Sequence, residues 1–141
     1  MLDLVLAILL AVAMPDPKLT PGVVKAGVTK EIVCKVGYTQ DARHVTTATK
    51  RLVFQRYGIE WTKENRKLYE VDHLISLELG GDNVVENLWP EPWEPKPGAR
   101  QKDVVETTLH RRVCKGELTL EEAQAKIRTD WFAAYKEIVG Q

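Results

Sequence analysis

This sequence has no excess charge, few cysteines and no long apolar run, and each of these absences excludes a class of protein. Its 141 residues include 20 Lys+Arg and 20 Asp+Glu, so the formal net charge of zero excludes a histone-like basic protein. A charged fraction of 28%, with ordinary glycine and proline content, excludes collagen-like, coiled-coil and wholly disordered chains. The length suits one domain, in which any nucleic-acid binding would need a local basic surface.

The apolar run at residues 4–13 is too short for a bilayer span, because it covers ten residues and a membrane helix needs about 20. The run has the length of a signal-peptide core and ends in an A-x-A cleavage pattern at Ala13. We therefore predict a signal peptide over residues 1–13 and a secreted or periplasmic protein. Asp3 stands where signal peptides usually carry basic residues. The alternatives are a buried N-terminal helix or a natural start at Met14, and the protein would then be cytoplasmic.

Cysteine is scarce, and its spacing gives no indication of a structural zinc site. Cys34 and Cys114 are the only two, and neither belongs to a CxxC or CxxH pair. In an exported domain, two cysteines favour one disulfide bond. Two buried free thiols are the alternative if the leader is not cleaved.

Apolar periodicity and turn residues predict an α+β domain with little sheet. Residues 14–45 are predicted to form an extended N-terminal arm, because residues 15–27 are rich in proline, glycine and lysine. The folded domain is predicted over residues 46–141. Its expected elements are a helix over 46–57, antiparallel strands over 69–73 and 87–89, a helix over 99–114 and a last helix from Thr119. Segment 90–98 contains four prolines and is expected to lack regular structure.

The helical periods also predict which side chains are buried. The expected apolar stripes are Ala48, Leu52, Val53 and Tyr57 in the first helix; Val105, Leu109 and Val113 in the second; and Ala123, Ile127, Trp131 and Tyr135 in the last. The other face of the first helix carries Lys50, Arg51 and Arg56, which is either a solvated face or a place for a phosphate backbone. Trp61 and Trp131 are predicted core residues. Trp89 and Trp93 are also expected to pack, with base stacking as the alternative.

Asp72 and His73 are adjacent at the end of the first predicted strand, so their side chains are expected to point to opposite faces. A neutral imidazole can accept a proton from water near pH 7, and a carboxylate can hold a hard divalent cation. The two groups together suit hydrolysis of a phosphodiester. An Asp-His pair by itself is more often structural.

The surrounding pattern, D-H-x-x-x-L-x-x-G-G followed by N-L, resembles the HNH nuclease family. The matching residues are Asp72, His73, Leu77, Gly80, Gly81, Asn83, Asn87 and Leu88. The resemblance implies a ββα-metal core of hairpin plus helix with flanking α-helices, and a nuclease domain over residues 46–141. It implies that His73 is the general base and Asp72 a metal ligand. It also implies that Asn87, with Asn83 as second choice, holds the loop that orients the histidine.

The sequence departs from this family after the hairpin, where members usually place a histidine or asparagine, often within a CxxC zinc frame. Helical spacing puts Asp103, Glu106 and His110 on one stripe of the predicted helix. Asp103 is our first choice for the second metal ligand. His110 is the further candidate ligand, about two turns and roughly 10 Å along. A solvated Glu/His face is the alternative.

A second resemblance covers most of the chain after the leader. Small bacterial and phage HNH-like proteins begin with a Pro-Asp-Pro arm and end with a Leu-His-x-x-Val-Cys segment before a final helix. Residues 15–17 and 109–114 match these two segments. This resemblance supports the fold more than the reaction.

These residues lead to the hypothesis of a metal-dependent endonuclease that hydrolyses phosphodiester bonds in DNA, or in nucleic acid without sequence preference. Oxygen ligands favour Mg²⁺ or Mn²⁺, and binding by His110 would favour Zn²⁺ or Ni²⁺. We assume a monomer. The alternative is a catalytically inactive HNH-like module that binds nucleic acid or protein. The residues expected to contact flanking phosphates are Arg100, Lys102, Arg111 and Arg112.

Overall fold

A computed structural model describes residues 12–140, so the predicted leader lies almost entirely outside the described residues. In this range the fold is α+β, with six α-helices and one two-stranded antiparallel sheet. Two short 3-10 turns, Leu77–Leu79 and Val85–Asn87, lie between the strands. The elements are α1 Lys30–Val33, α2 Tyr38–Ala42, α3 Thr47–Arg56, α4 Lys63–Leu68, β1 Tyr69–His73, β2 Leu88–Pro92, α5 Ala99–Cys114 and α6 Leu120–Val139.

The helices begin where the sequence places capping residues. The hydroxyl of Thr46 accepts a hydrogen bond from the Thr49 amide before α3, as expected of an N-cap. Thr119 and Glu122 form the reciprocal capping box before α6. Near its middle, α6 is interrupted at Asp130, whose carboxylate accepts from the Ala133 amide and so caps the following turns. None of the helices within residues 12–140 combines the length and apolar character needed to cross a bilayer.

The two strands form a hairpin that confirms the predicted pairing. His73 pairs with Leu88, and Asp72 pairs with Trp89. The prediction that regular structure is absent from residue 90 was wrong, because β2 includes Pro90 and Pro92. Both strands of this sheet are edge strands, where a missing backbone N–H is tolerated.

The main core lies between α5, α6 and the first 3-10 turn. Its buried members include the predicted residues Val105, Leu109, Val113, Ala123, Ile127 and Trp131, whereas Tyr135 is half-buried. On α3 the prediction was partly wrong, because Leu52 is 44% exposed and Ala48 is exposed too. Val53 and Phe54 are the buried residues there, and the ring of Phe54 meets Trp61 edge to face at 4.9 Å. The helix therefore packs through a narrow aromatic contact rather than a broad stripe.

The N-terminal arm is more structured than the predicted extended segment. It contains α1 and α2, and Val33 of α1 belongs to the main core. The buried hydroxyl of Thr20 donates to the Leu88 carbonyl oxygen at 3.0 Å, and Val24 forms a β-bridge with Gly81. These tertiary contacts stabilise short elements that have too few residues for a periodic signal.

A disulfide bond joins Cys34, at the end of α1, to Cys114, at the end of α5. The predicted pairing is therefore confirmed. Disulfides are typical of extracytoplasmic proteins, while the signal peptide itself stays a prediction.

Candidate functional site

The loop between the strands is held by the side chain of Asn87, which is fully buried. Its Oδ1 accepts from the amides of Ile75, at 3.0 Å, and Val23, at 3.2 Å. Its Nδ2 donates to the carbonyl oxygens of Ile75, at 3.0 Å, and Asp82, at 2.8 Å. One amide thus satisfies four backbone groups and fixes the backbone that follows His73.

Gly80 and Gly81 are both required by this loop, for different reasons. Gly80 has a φ of +84°, a conformation that side chains disfavour. A Cβ on Gly81 would lie 1.7 Å from the Ile75 carbonyl oxygen and 2.8 Å from Asn87 Nδ2. The Gly-Gly pair therefore permits the close backbone approach on which the Asn87 contacts depend.

His73 is buried at the end of β1, with its Nε2 atom 3.0 Å from Oδ1 of Asn83. The Nδ2 of Asn83 donates to the Ala42 carbonyl oxygen, and Oδ1 also accepts from the His44 amide. Oδ1 is thus an acceptor, so Nε2 of His73 carries the proton and Nδ1 is the unprotonated nitrogen of the neutral ring. Burial lowers the pKa of His73, which favours this neutral form at pH 7.

The resemblance assigns one asparagine to orient His73, whereas here two asparagines contribute to its position. Asn83, the second choice, contacts the imidazole directly. Asn87, the first choice, makes its hydrogen bonds to backbone groups and acts on His73 only through the loop.

Lys102 does not lie on the surface, and the prediction that it contacts phosphates was wrong. Its side chain is completely buried, and Nζ lies 2.7 Å from Oδ2 of Asp72 and 2.7 Å from Oε1 of Glu106. Nζ also donates to the His73 carbonyl oxygen at 2.8 Å. Burial opposes the charged form, but the carboxylates of Asp72, Glu106 and Glu91 outweigh it and raise the pKa of Lys102 above its usual range. The ammonium is an internal cation that ties α5 to β1.

Glu91 lies beside this ion pair, and burial followed by repulsion from Asp72 raises its pKa far above the ordinary value. Burial also raises the pKa of Glu106, although Lys102 acts in the opposite direction. Several buried carboxyl groups thus surround one ammonium.

A small polar cavity of about 110 Å³ lies against the hairpin and α5. Two buried oxygens on its wall, Oε2 of Glu70 and Oγ of Ser76, have no hydrogen-bond partner among the described residues. Burial, and then repulsion from Asp72 and Asp103, raises the pKa of Glu70 to about 7. Burial also raises the pKa values of Glu78 and Asp103. The carboxyl-bearing residues that line the cavity are Glu70, Asp72, Glu78, Asp103 and Glu106. His73 and Arg43 also line it.

The cavity is lined by carboxyl groups, but no three of its described His, Asp or Glu side chains bring their ligand atoms together. Carboxylate oxygens suit Mg²⁺ and Mn²⁺, and Mg²⁺ is commonly bound by one or two carboxylates with water in the other positions. Asp72 and Asp103, the two predicted ligands, both line the cavity. A bound divalent ion would also relieve the repulsion that raises the carboxyl pKa values.

The structure does not bring His110 to this cavity. Its Nε2 lies 2.9 Å from the Val33 carbonyl oxygen, and its Nδ1 lies 3.7 Å from Oε2 of Glu78. His110 instead forms a cluster with Cys34 and Cys114, in which the three potential ligand atoms lie within 4.8 Å of one another. Within residues 12–140, no other group of three Cys, His, Asp or Glu side chains converges in this way. Because both sulfurs are in the disulfide, this cluster is a candidate metal site only by composition.

A second, larger cavity shares part of its lining with the first. Four residues line both cavities: Arg43, Glu70, Val71 and His73. The larger one has a volume of about 610 Å³ and is lined by cationic and aromatic side chains, and we call it the cationic groove. His73 thus lines both a positively charged groove and a cavity rich in carboxylates.

The other predicted phosphate contacts have different positions. Arg100 is exposed, with its guanidinium 5.5 Å from the ring centroid of Trp93, which lines the groove. Arg111 is exposed and Arg112 half-buried further along α5, and neither lines either cavity. The groove cations that sequence reasoning missed are Arg43, Arg66 and Lys67; the basic composition of α4 was the available signal for the last two.

Comparisons of the chain with known protein families, with curated proteins and with solved structures gave no match. An α+β architecture does not by itself specify an activity, because one fold can carry many functions. The arrangement around His73 is the feature of this molecule that bears on function.

Proposed function

We propose that this protein is a metal-dependent endonuclease of the ββα-metal type, hydrolysing phosphodiester bonds in nucleic acid. The single observation that carries the proposal is the position of His73 between the cationic groove and the carboxylate-lined cavity. β1, β2 and α5 would form the ββα unit, with the remaining helices flanking it. A polyanion in the groove would reach the histidine and the carboxylates together.

In this proposal His73 is the general base. Its Nδ1 atom accepts a proton from the attacking water, while Asn83 holds the opposite nitrogen and so fixes the ring orientation. Burial lowers the pKa of His73, which favours the unprotonated form that a general base needs. Arg43 lines both cavities, and its guanidinium is suited to bind non-bridging oxygens of the phosphate.

Asp72 and Asp103 would hold the divalent ion, with Mg²⁺ or Mn²⁺ as the preferred species. When bound, such an ion neutralises charge on the phosphate and on the leaving oxygen. Oδ2 of Asp72 contacts Lys102, so this lysine also orients the carboxylate that would serve as ligand.

Replacing His73 with alanine tests the proposal directly. Cleavage of supercoiled plasmid in Mg²⁺ or Mn²⁺ should fall by at least about 100-fold, because a positioned general base contributes that much or more. The measurement is the rate of nicking by the full chain, with EDTA as the metal-free reference. His44→Ala is the matched control, since His44 is exposed and its side chain lines neither cavity. Equal rates in His73→Ala and wild type would remove His73 as the base.

One observation favours a second candidate, a nucleic-acid or protein-binding module without catalysis. Asp72, the predicted ligand, already pairs with the buried ammonium of Lys102. For such a module, no metal should support cleavage and none should change the melting temperature. For the nuclease, a divalent ion at 100 times its dissociation constant would stabilise the folded state by about 2.7 kcal/mol.

A further inference from the structure

The cationic groove concentrates positive charge in a protein whose formal net charge is zero. Lys50 lies on α3, Arg66 and Lys67 on α4, and Arg43 at the end shared with the polar cavity. Among the described residues, Glu70 is the one carboxyl-bearing residue on the groove wall. A surface of this kind attracts a polyanion.

Aromatic side chains lie between these cations. Trp61, Tyr69 and Trp93 are half-buried, so each presents part of its ring surface to the groove. The guanidinium of Arg66 lies 5.0 Å from the ring centroid of Trp61, which places a flat cation against a flat aromatic wall. The Phe54 ring supports this wall from beneath through edge contacts with Trp61 and Tyr69. Rings and guanidinium planes are the surfaces on which unpaired bases stack.

We propose that the cationic groove binds single-stranded nucleic acid. The phosphates would lie along Lys50, Arg66 and Lys67, and unstacked bases would lie against Trp93 and the Trp61 wall. A duplex keeps its bases inside and offers mainly phosphates, so it would leave the aromatic lining without a partner. The proposal rests on the proposed function, because the groove leads to His73 and would deliver an unpaired strand to it.

The test measures binding without cleavage. Fluorescence anisotropy of short labelled oligonucleotides of mixed sequence is followed in EDTA, with single-stranded DNA, single-stranded RNA and blunt duplex DNA as separate arms. The variant is Lys50→Gln with Lys67→Gln. The matched control is Lys35→Gln with Lys115→Gln, which removes the same charge from exposed positions outside the groove.

We expect the wild type to bind single strands more tightly than the duplex, and the DNA and RNA arms to show which sugar is preferred. The groove variant should lose about tenfold in single-strand affinity at moderate salt, and its salt slope should fall by about 1.4, the value for two phosphate contacts on a single strand. The control pair should match the wild type. Equal losses in the groove and control variants would overturn the proposal, as would tighter binding of the duplex.

Trp93→Ala separates stacking from charge. It should lower single-strand affinity by about tenfold and leave duplex affinity unchanged, because only unpaired bases stack on the ring. Trp93→Leu, which keeps an apolar side chain, is the second variant if melting shows that the alanine variant does not fold. Unchanged single-strand affinity in a folded Trp93 variant would contradict base stacking at this wall.

The binding and cleavage measurements distinguish failure of the groove proposal from failure of the nuclease proposal. Single-strand binding in EDTA without cleavage in any metal would keep the groove and reject the nuclease. Metal-dependent cleavage that is insensitive to the groove substitutions would keep the nuclease and reject the groove.

Discussion

Replacing Lys102 with methionine is expected to lower the free energy of unfolding by about 3–5 kcal/mol, the usual cost of removing one partner from a buried ion pair. Methionine has a similar length but no charge, so the substitution would leave the buried carboxylates of Asp72 and Glu106 without their cation. It would also remove the donor to the His73 carbonyl oxygen. Chemical denaturation, monitored by circular dichroism or tryptophan fluorescence, measures this change.

Two further variants show whether the charge is responsible. Lys115→Met removes an exposed lysine from the residue after α5 and should change stability by less than about 0.5 kcal/mol. Adding Glu106→Gln to Lys102→Met should recover part of the loss, because one fewer carboxylate remains unpaired. A loss below about 1 kcal/mol for Lys102→Met would show that the ammonium is not the cation that these carboxylates require.

Removing the disulfide is expected to cost about 4.5 kcal/mol in the chain-entropy description, because the two cysteines are 80 residues apart. That is comparable to the whole stability of many small domains. The variant is Cys34→Ser with Cys114→Ser, and the measurement is urea unfolding with and without a thiol reductant. Reductant should destabilise the wild type by about the same amount and leave the double variant unchanged.

The disulfide also ties the N-terminal arm to the helix that holds the ion pair. Cys34 follows α1, and Cys114 ends α5, on which Lys102 lies. When the disulfide is reduced, the backbone amides of α1 should therefore be the first to lose protection against hydrogen exchange. A disulfide-free variant with wild-type stability would mean that the noncovalent contacts of the arm are sufficient to hold it.

Much of the architecture could be predicted because the relevant signals are local. α5 and α6 were predicted from their periods, since Val105, Leu109, Ala123 and Ile127 recur at helical spacing and are buried. The hairpin was predicted from a short alternating segment and the turn residues that follow it. Where local signals are weak the prediction failed, as it did for the short helices α1 and α2.

In the candidate site, too, some features could be predicted from the sequence and others could not. The Asp72-His73 pair and Asp103 could be selected by residue type and spacing, and Asn87 through the family resemblance. The structure places Asp72, His73 and Asp103 around one cavity. The sequence could not show that Asn83, rather than Asn87, contacts the imidazole. That ranking depends on which of two nearby amides the loop turns toward the ring.

The sequence by itself determined the helical periods, the caps, the strand pairing and the glycines that the loop between the strands requires, because each depends on residues close together in the chain. Only the tertiary structure decided that Lys102 is buried. A lysine in the first turn of a helix is expected in solvent unless distant carboxylates surround it, and here Asp72 and Glu91 come from the hairpin. The cationic groove is likewise a tertiary property, since its lining converges from α3, α4, β1 and the segments beside them. Charge and burial at these sites result from long-range packing, to which local sequence patterns are insensitive.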